Sequence, residues 1–211
     1  PVTEQRMNTT AERLTKPPPG VPGEFEYSNL NYIVAGAAIE AMTGLAWEDA
    51  MEAWVIEPAG LDQADGWGFG PPQTGPVGHS NFFGLKSPKG RGDGADNPQA
   101  LGPAGTMHAG IPGHLRLLAE FVDEESDFIT ADMRERLLTP WPDETSSYAM
   151  GWGVVERQTL GQVFAHRGSN TMWLSHVELV PSEDTVRFPP GRGDSAPSFL
   201  STRFELRSPP R

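Results

Sequence analysis

Gly23-Glu24-Phe25-Glu26-Tyr27-Ser28-Asn29 opens a long apolar stretch in the first quarter of the chain. Ser28 or Asn29 can cap a helix here, because a short polar side chain at that position satisfies backbone N–H groups of the first turn. Apolar residues then recur at helical spacing as far as Met42, and Gly44 follows as a stop signal. The stretch therefore predicts a helix with a defined start and a defined end.

A second stretch, Phe164-Ala165-His166-Arg167-Gly168-Ser169-Asn170, lies far downstream among strand-like runs. Residues 148–155, 162–166 and 172–180 are rich in β-branched and aromatic residues and are separated by turn residues. Three consecutive strands of this kind predict an antiparallel meander, with His166 on an edge strand. Since helical patterns dominate the first half of the chain, the predicted fold class is α+β.

The rest of the chain alternates between helical and irregular patterns. Helices are predicted over residues 47–56, about 112–123 and about 130–138, where apolar residues follow a 3.6-residue period. Residues 62–110 are rich in Gly, Pro, Asn and Asp and predict a long irregular connection with short strands at best. Three segments are expected: a leader and proline-rich loop (1–23), a folded domain (24–181) and an irregular Pro/Arg-rich tail (182–211).

Two motifs in these stretches carry a family resemblance. Tyr27-Ser28-Asn29 and His166-Arg167-Gly168 resemble the second and third active-site motifs of the serine β-lactamase and penicillin-binding protein superfamily. The glycine-rich turn at residues 101–108 and the run at residues 169–173 are similar to the branch of class C β-lactamases, family VIII esterases and D-aminopeptidases. The resemblance implies a partial β-lactamase-like fold, with helices packed on an incomplete antiparallel sheet, and a hydrolase that acts on an ester, amide or lactam.

The first motif of that superfamily, Ser-x-x-Lys, supplies the nucleophile and does not occur in these 211 residues. The segment that would carry it is not in this sequence, and the Pro/Arg tail stands where a further strand and a C-terminal helix are expected. The sequence is therefore expected to be a truncated or frame-altered member. Neither Ser28 nor Ser169 has a lysine nearby in sequence that could activate it as a nucleophile.

The resemblance assigns roles to residues of the two motifs. Tyr27 is the candidate general acid or base, and His166 is the candidate group that orients substrate or a proton donor. Asn29 is expected to hydrogen-bond the substrate, while Gly168 lets the backbone approach so that the N–H of Ser169 can face an oxyanion. Tyr148 and Trp173 are expected to wall the pocket. For each, a structural role is the alternative: a helix cap for Asn29, and core packing for the aromatic rings.

Two other functions stay open at this point. Paired carboxylates hydrolyse glycosides without a serine, and Glu24, Glu26 and Asp49 flank the Tyr27 motif, so a glycosidase on the same scaffold is one alternative. A noncatalytic binding fragment or pseudoenzyme is the other.

Composition and charge restrict the partners. The net charge of -12 argues against nucleic acid and anionic membrane, since phosphate-rich surfaces would repel the chain. The absence of cysteine excludes disulfides and thiolate metal sites and is compatible with a reducing or an oxidising compartment. His108 and His176 have no metal-like spacing with another ligand, so no metal is expected. No cofactor is expected either, and the expected partner is a small-molecule substrate. A sheet without its usual flanking strands exposes backbone edges, which predicts a homodimer or domain-swapped oligomer.

Overall fold

The computed structural model describes residues 1–18, 20–21, 23–83, 85–189 and 203–204. These residues form two compact units, each described by itself below. The first comprises Pro1–Gly113 together with Asn170–Met172, and the second comprises His114–Ser169 together with the described residues from Trp173 onward. Helices and antiparallel sheets are both present, so the fold class is α+β, as the sequence predicts.

The first unit begins with three helices: α1 (Val2–Leu14), α2 (Asn29–Thr43) and α3 (Trp47–Met51), which continues as a π-helical turn over Glu52–Ile56. The predicted start and end of α2 are confirmed. Ser28 is the N-cap, although its side chain makes no capping hydrogen bond, and Gly44 ends the helix in a left-handed conformation with φ of 72°. The prediction of a helix over residues 47–56 is also confirmed.

Helix α1 is a feature that the sequence reading missed. Residues 1–23 are predicted to be only a leader and a proline-rich loop, whereas the structure folds Val2–Leu14 into a helix that contacts α2. The reason is Arg6, whose side chain is fully buried and pairs with Glu40 of α2 and Glu48 of α3. A charge buried in this way needs partners, and these partners fix α1 against the next two helices.

Residues 62–110 form short elements, as predicted. The strands are β1 (Gly68–Phe69), β2 (His79–Phe82), β3 (Leu85–Pro88) and β4 (Met107–His108). Strands β2 and β3 form an antiparallel hairpin, and β1 pairs with β4. Single 3₁₀ turns cover Gln63–Asp65, Asp93–Ala95 and Gln99–Leu101, and a four-residue helix, α4, covers Gly102–Gly105. Helix α5 (Ile111–Ala119) follows this segment.

The second unit contains helix α6 (Ala131–Leu138) and the main sheet. The sheet strands are β5 (Gly153–Arg157), β6 (Gly161–Ser169), β7 (Leu174–Val180), β8 (Thr185–Arg187) and β9 (Arg203–Phe204), in that spatial order and all antiparallel. A 3₁₀ turn at Pro181–Glu183 joins β7 to β8. The predicted meander is confirmed as β5-β6-β7.

Helices pack on this sheet through one apolar core. Its buried residues come from α5 and the turn after it, from the end of α6, from the approach to β5 and from four strand positions. They are Leu115, Leu118, Val122, Leu138, Ala149, Trp152, Phe164, Val177, Leu179 and Val186. The alternation of Val177 and Leu179 in β7 places both side chains on the helix-covered face of the sheet.

Two sequence predictions about this unit are corrected. The irregular tail is predicted from residue 182, but Thr185–Arg187 forms β8, and Val186 is 2% exposed in the core. Strand β6 lies between β5 and β7, so His166 is not on an edge strand. Residues 190–202 and 205–211 of the predicted tail lie outside the described residues. Among the described residues, no helix combines the length and the apolar character that crossing a bilayer requires.

Candidate active site

Tyr27 and Asn29 meet at the start of α2. The Tyr27 hydroxyl donates a hydrogen bond to Asn29 Oδ1 over 2.9 Å. Tyr27 is 68% exposed, and Asn29 is exposed as the first residue of the helix. The bond uses the one proton of the phenol and one lone pair of the amide oxygen. The NH₂ group of Asn29 and a lone pair of the Tyr27 oxygen therefore remain able to hydrogen-bond a ligand.

His166 is held in one tautomer by its surroundings. Its Nδ1 lies 2.7 Å from the carbonyl oxygen of Gly151. A carbonyl oxygen only accepts, so Nδ1 carries the hydrogen, and in the neutral ring Nε2 keeps the lone pair. The ring also stands edge-on to Trp152, with centroids 6.0 Å apart. The exposed imidazole is thus oriented with Nε2 ready to accept a proton or a hydrogen bond.

Gly168 lies beside that nitrogen. His166 and Gly168 are two residues apart on β6 and so share one face of the strand. A Cβ atom placed on Gly168 would lie 4.0 Å from His166 Nε2. The glycine therefore places no side chain of its own next to Nε2.

His114, on α5, is a neighbour of His166 that the sequence reading missed. Burial, and to a smaller extent the charge of a protonated His166, lower the pKa of His114 to about 4. Its ring packs edge-on against Phe188, with centroids 5.4 Å apart. His114 therefore stays neutral at physiological pH, and a single positive charge at most develops on this histidine pair.

Ser169 ends β6 and pairs with Leu174 of β7. It is exposed, and the three residues after it, Asn170–Met172, belong to the first unit. Two hydrogen bonds hold this short loop there: Asn170 Nδ2 donates to Asp96 Oδ1 over 2.7 Å, and His79 N donates to the Met172 carbonyl over 3.1 Å.

The two predicted pocket aromatics are both half-buried. Tyr148 forms a single bridge with Gly153 at the start of β5, and its carbonyl oxygen accepts a hydrogen bond from Trp141 N over 3.0 Å. Trp173 lies between the Asn170–Met172 loop and the first residue of β7. Both rings therefore sit beside strand ends of the second unit, and their contact with a ligand stays a prediction.

The three alternative carboxylates are exposed. Glu24 and Glu26 occupy the irregular approach to Tyr27, with Glu26 close to Gly20 of the proline-rich loop. Asp49 lies on α3. The structure shows no arrangement of these groups that marks a carboxylate pair.

The predicted site residues fall into two groups. Tyr27 and Asn29 are brought together in the first unit, and His166 and Gly168 are brought together in the second. Asp96 and His114 are the additional residues beside these motifs. The sequence alone does not identify either residue. Asp96 lies 74 residues from its partner Asn170, and the burial of His114 depends on tertiary packing.

A Tyr-x-Asn motif at a helix start and a His-x-Gly motif near a strand end, on an α+β scaffold, are the pattern of the serine β-lactamase and penicillin-binding protein superfamily. The chain belongs to the beta-lactamase family, whose model matches residues 3–188. Both motifs and the buried Arg6 lie inside the matched range. The resemblance stated from the sequence is therefore confirmed.

Solved structures support the same fold. A penicillin-binding protein from Bacillus halodurans matches with a TM-score of 0.64 and 18% identity, over 82% of this chain and 55% of that chain. An octameric penicillin-binding protein homologue from Pyrococcus abyssi matches with a TM-score of 0.63 and 19% identity, over 78% and 38%. A D-stereospecific amidohydrolase from Streptomyces sp. matches with a TM-score of 0.63 and 18% identity, over 83% and 53%.

The chain thus spans between 38% and 55% of the length of these three proteins. At such identities the likeness establishes the fold alone, and it confirms a partial β-lactamase-like fold. A comparison of the chain with curated proteins gives no match.

Proposed function

We propose that this chain forms the substrate-binding part of a hydrolase site of the serine β-lactamase-like superfamily, for an ester, amide or lactam. The observation that carries the proposal is the orientation of His166. Its Nδ1–H is fixed on the Gly151 carbonyl, so Nε2 is presented beside Gly168. A preset acceptor on this strand suits a substrate with a carbonyl and an adjacent N–H or O–H group.

Tyr27 and Asn29 support the same substrate class. The Asn29 amide, with its oxygen held by the Tyr27 hydroxyl, presents N–H donors that fit the carbonyl of an ester or amide. The amidohydrolase from Streptomyces sp. belongs to the same fold, which favours an amide among the candidates. In this proposal Ser169, Trp173 and Tyr148 of the second unit lie around the ligand group that His166 binds.

The proposal separates recognition from acylation. No Ser-x-x-Lys occurs in these 211 residues, and neither Ser28 nor Ser169 has a lysine nearby in sequence. The protein is therefore expected to bind such ligands without forming an acyl-serine. A fluorophosphonate or penicillin probe should leave its mass unchanged.

The test is ligand binding followed by NMR. Phenylacetamide, a phenyl ester and a cephalosporin are titrated while the backbone amides of Gly168 and Ser169 and the side-chain amide of Asn29 are observed. We expect shifts at these groups and a weakening of binding by about tenfold or more in His166→Ala and Tyr27→Phe, the size of one lost charge-assisted or buried hydrogen bond. His176→Ala on β7 and Tyr32→Phe on α2 are the matched controls and should bind like the wild type.

Three results would count against this function. Absence of any shift with all three ligands refutes the binding site, and equal affinities of wild type, His166→Ala and Tyr27→Phe refute the residue assignment. Turnover of a nitrophenyl glycoside that depends on Glu24, Glu26 or Asp49 would support the glycosidase alternative, which no contact in the structure favours. Binding without turnover of any substrate would agree with the proposed recognition site and also with the alternative of a noncatalytic binding fragment or pseudoenzyme.

We propose in addition that the protein self-associates, as a homodimer or a domain-swapped oligomer, and that its other partner is a small-molecule substrate rather than nucleic acid or membrane. The first two residues of the outer strand β5 are bridged by residues 147–148, and the rest of its outer edge, toward Arg157, is a site for pairing with another chain. The fold relative from Pyrococcus abyssi is octameric, which agrees with assembly in this fold. A stable monomer in light scattering at micromolar concentration would refute self-association.

A further inference from the structure

The tip of the β2–β3 hairpin is the most exposed apolar feature among the described residues. Phe82 is 73% exposed, Phe83 is 91% exposed and Leu85 is 76% exposed. The two phenyl rings stack edge-on, with centroids 4.7 Å apart. Exposed aromatic clusters of this kind mark interaction sites, because their exposure to water is unfavourable in an isolated protein.

The hairpin is also locally basic in an acidic protein. Residues 79–91 contain Lys86, Lys89 and Arg91 and no Asp or Glu, while the whole chain carries 28 acidic and 16 basic residues. Arg91 secures the base of the hairpin, because its guanidinium donates hydrogen bonds to the carbonyls of Pro72, Thr74 and Gly75. The apolar tip thus belongs to a hairpin whose base is held by hydrogen bonds and whose flanking residues are positively charged.

A groove on the second unit has the complementary properties. It is an open groove of about 390 Å³ beside the end of α6, and its apolar lining includes Leu138, Pro140, Phe164 and Pro181. Glu135 and Arg134 both lie on its wall, and the Arg134 guanidinium donates hydrogen bonds to backbone carbonyls of Glu120, Phe121 and Ile129. Residues 120–144, which contain α6, hold nine acidic and two basic residues. An apolar groove with an acidic rim fits an apolar tip that is flanked by lysines.

We propose that the Phe82–Phe83 hairpin tip of one copy docks into the α6 groove of a second copy. Phe83 would fill the apolar part of the groove, and Lys86 and Lys89 would face the acidic rim at Glu135 and Asp132. Such a contact uses two different surfaces, so it either closes as a reciprocal dimer or extends into a ring. This interface differs from strand pairing along β5 and does not depend on the hydrolase function.

The charge pattern favours a second copy of this chain, rather than an anionic lipid surface, as the partner of the hairpin tip. A chain with net charge -12 is repelled by anionic lipid over most of its surface. The same net charge opposes self-association, except where a basic segment meets the acidic segment. Association should therefore weaken as salt rises, because the opposing charges on the rim are exposed and screened.

Charge reversal with rescue is the main experiment. Sedimentation and light scattering at micromolar concentration are compared for wild type, Phe83→Asp, Lys86→Glu/Lys89→Glu and Asp132→Lys/Glu135→Lys. We expect the wild type to associate, each variant to weaken association by about tenfold or more, and an equimolar mixture of the two charge-reversed proteins to associate again. Circular dichroism should be unchanged, since Lys89 is half-buried and the other four substituted side chains are exposed.

The controls distinguish this interface from other surfaces through which two copies could associate. Met42→Asp changes a residue on α2 that is 85% exposed and should leave association intact. Val155→Lys tests the other contact between copies, which is strand pairing along the outer strand β5. Dissociation by Val155→Lys with none by Phe83→Asp would identify the strand edge as the interface and overturn the proposal. A monomeric wild type would also overturn it, as would unchanged association in both hairpin variants.

Disulfide trapping gives an independent measurement, because the chain has no cysteine. Phe83→Cys and Thr139→Cys proteins are mixed and oxidised, and the mixed disulfide is measured by mass. Thr139 lines the groove and is exposed. We expect the mixed product well above the yield from Met42→Cys mixed with Thr139→Cys. Equal yields from the two mixtures would contradict docking of the tip in the groove.

Discussion

Asp96 accepts a hydrogen bond from the side-chain amide of Asn170 over 2.7 Å, across 74 residues of sequence. The same carboxylate oxygen accepts from the backbone N–H of Asn97. Asn170 in turn accepts from Met172 N with its own oxygen, over 3.1 Å. Thr171, between them, has a left-handed φ of 71°, a conformation that costs energy for a residue with a β-branched side chain. The Asp96 contact thus holds a strained loop directly after Ser169.

The first prediction concerns this contact. Asp96→Ala and Asn170→Ala should each lower the free energy of unfolding by about 1 to 2 kcal/mol, since each leaves a hydrogen-bonding partner unsatisfied. Asn170 also bonds Met172, so the two single changes are not equivalent. A double-mutant cycle in urea isolates the pair, with an expected coupling of about 1 kcal/mol. Asp127→Ala, an exposed acid, is the control, and a coupling near zero would show that the contact stabilises nothing.

The buried Arg6 gives a second prediction. Burial alone would lower the pKa of Arg6, but hydrogen bonds to Glu48 and Glu40 raise it, so the guanidinium stays charged. Arg6→Ala would leave the buried Glu40 without its cation and should cost about 3 to 5 kcal/mol, measured by chemical denaturation. Arg13→Ala, at the exposed end of α1, should cost less than about 1 kcal/mol. Similar losses for both variants would refute a special role for Arg6.

Gly44 provides a third prediction, on the end of α2. Its φ of 72° lies in the left-handed region, and a Cβ atom there would meet no other atom within 4 Å. Gly44→Ala therefore introduces backbone strain without a clash and should cost about 1 to 2 kcal/mol. Gly90→Ala is the matched control, because Gly90 also has open space but no positive φ. It should be neutral or slightly stabilising, and a thermal melt that ranks the two variants the other way would contradict the assignment.

The sequence predicts the features of this fold that depend on neighbours in the chain. The ends of α2 follow from Ser28 and Gly44, and the β5-β6-β7 meander follows from apolar runs separated by turns. Strand β8 has only three residues, which is too short for a visible alternation, so Val186 is not recognisable as a core residue.

Contacts across long sequence distances were not predictable. The ion pairs of Arg6 fix α1 against α2 and α3, but the partners of Arg6 lie 34 and 42 residues away in the sequence. A single arginine in a polar segment indicates a solvated helix face rather than a buried ion pair. The same limit applies to the site. The Tyr27 and His166 motifs are visible as short patterns, whereas the Gly151 carbonyl that selects the His166 tautomer is identifiable only once β5 and β6 are paired.

The last prediction concerns the pH dependence of stability through His114. In the unfolded chain a histidine has a pKa near 6.5, and burial in the folded protein lowers the pKa of His114 to about 4. Between these values the unfolded state binds a proton that the folded state does not, so stability rises with pH in this window. Fully expressed, the effect is at most about 3 kcal/mol lost between pH 7 and pH 4.

His114→Gln removes the titrating group, so the stability difference between wild type and variant isolates this contribution from the many carboxylates that titrate in the same range. Urea denaturation at several pH values should show a wild-type curve that is steeper between pH 4 and 6.5 than that of the variant. His166→Gln removes the neighbouring positive charge and should move the NMR-measured pKa of His114 upward, because burial then acts alone. Parallel stability curves for wild type and His114→Gln would mean that His114 is solvated in the folded protein. His114 would then not be the neutral neighbour of His166 described above.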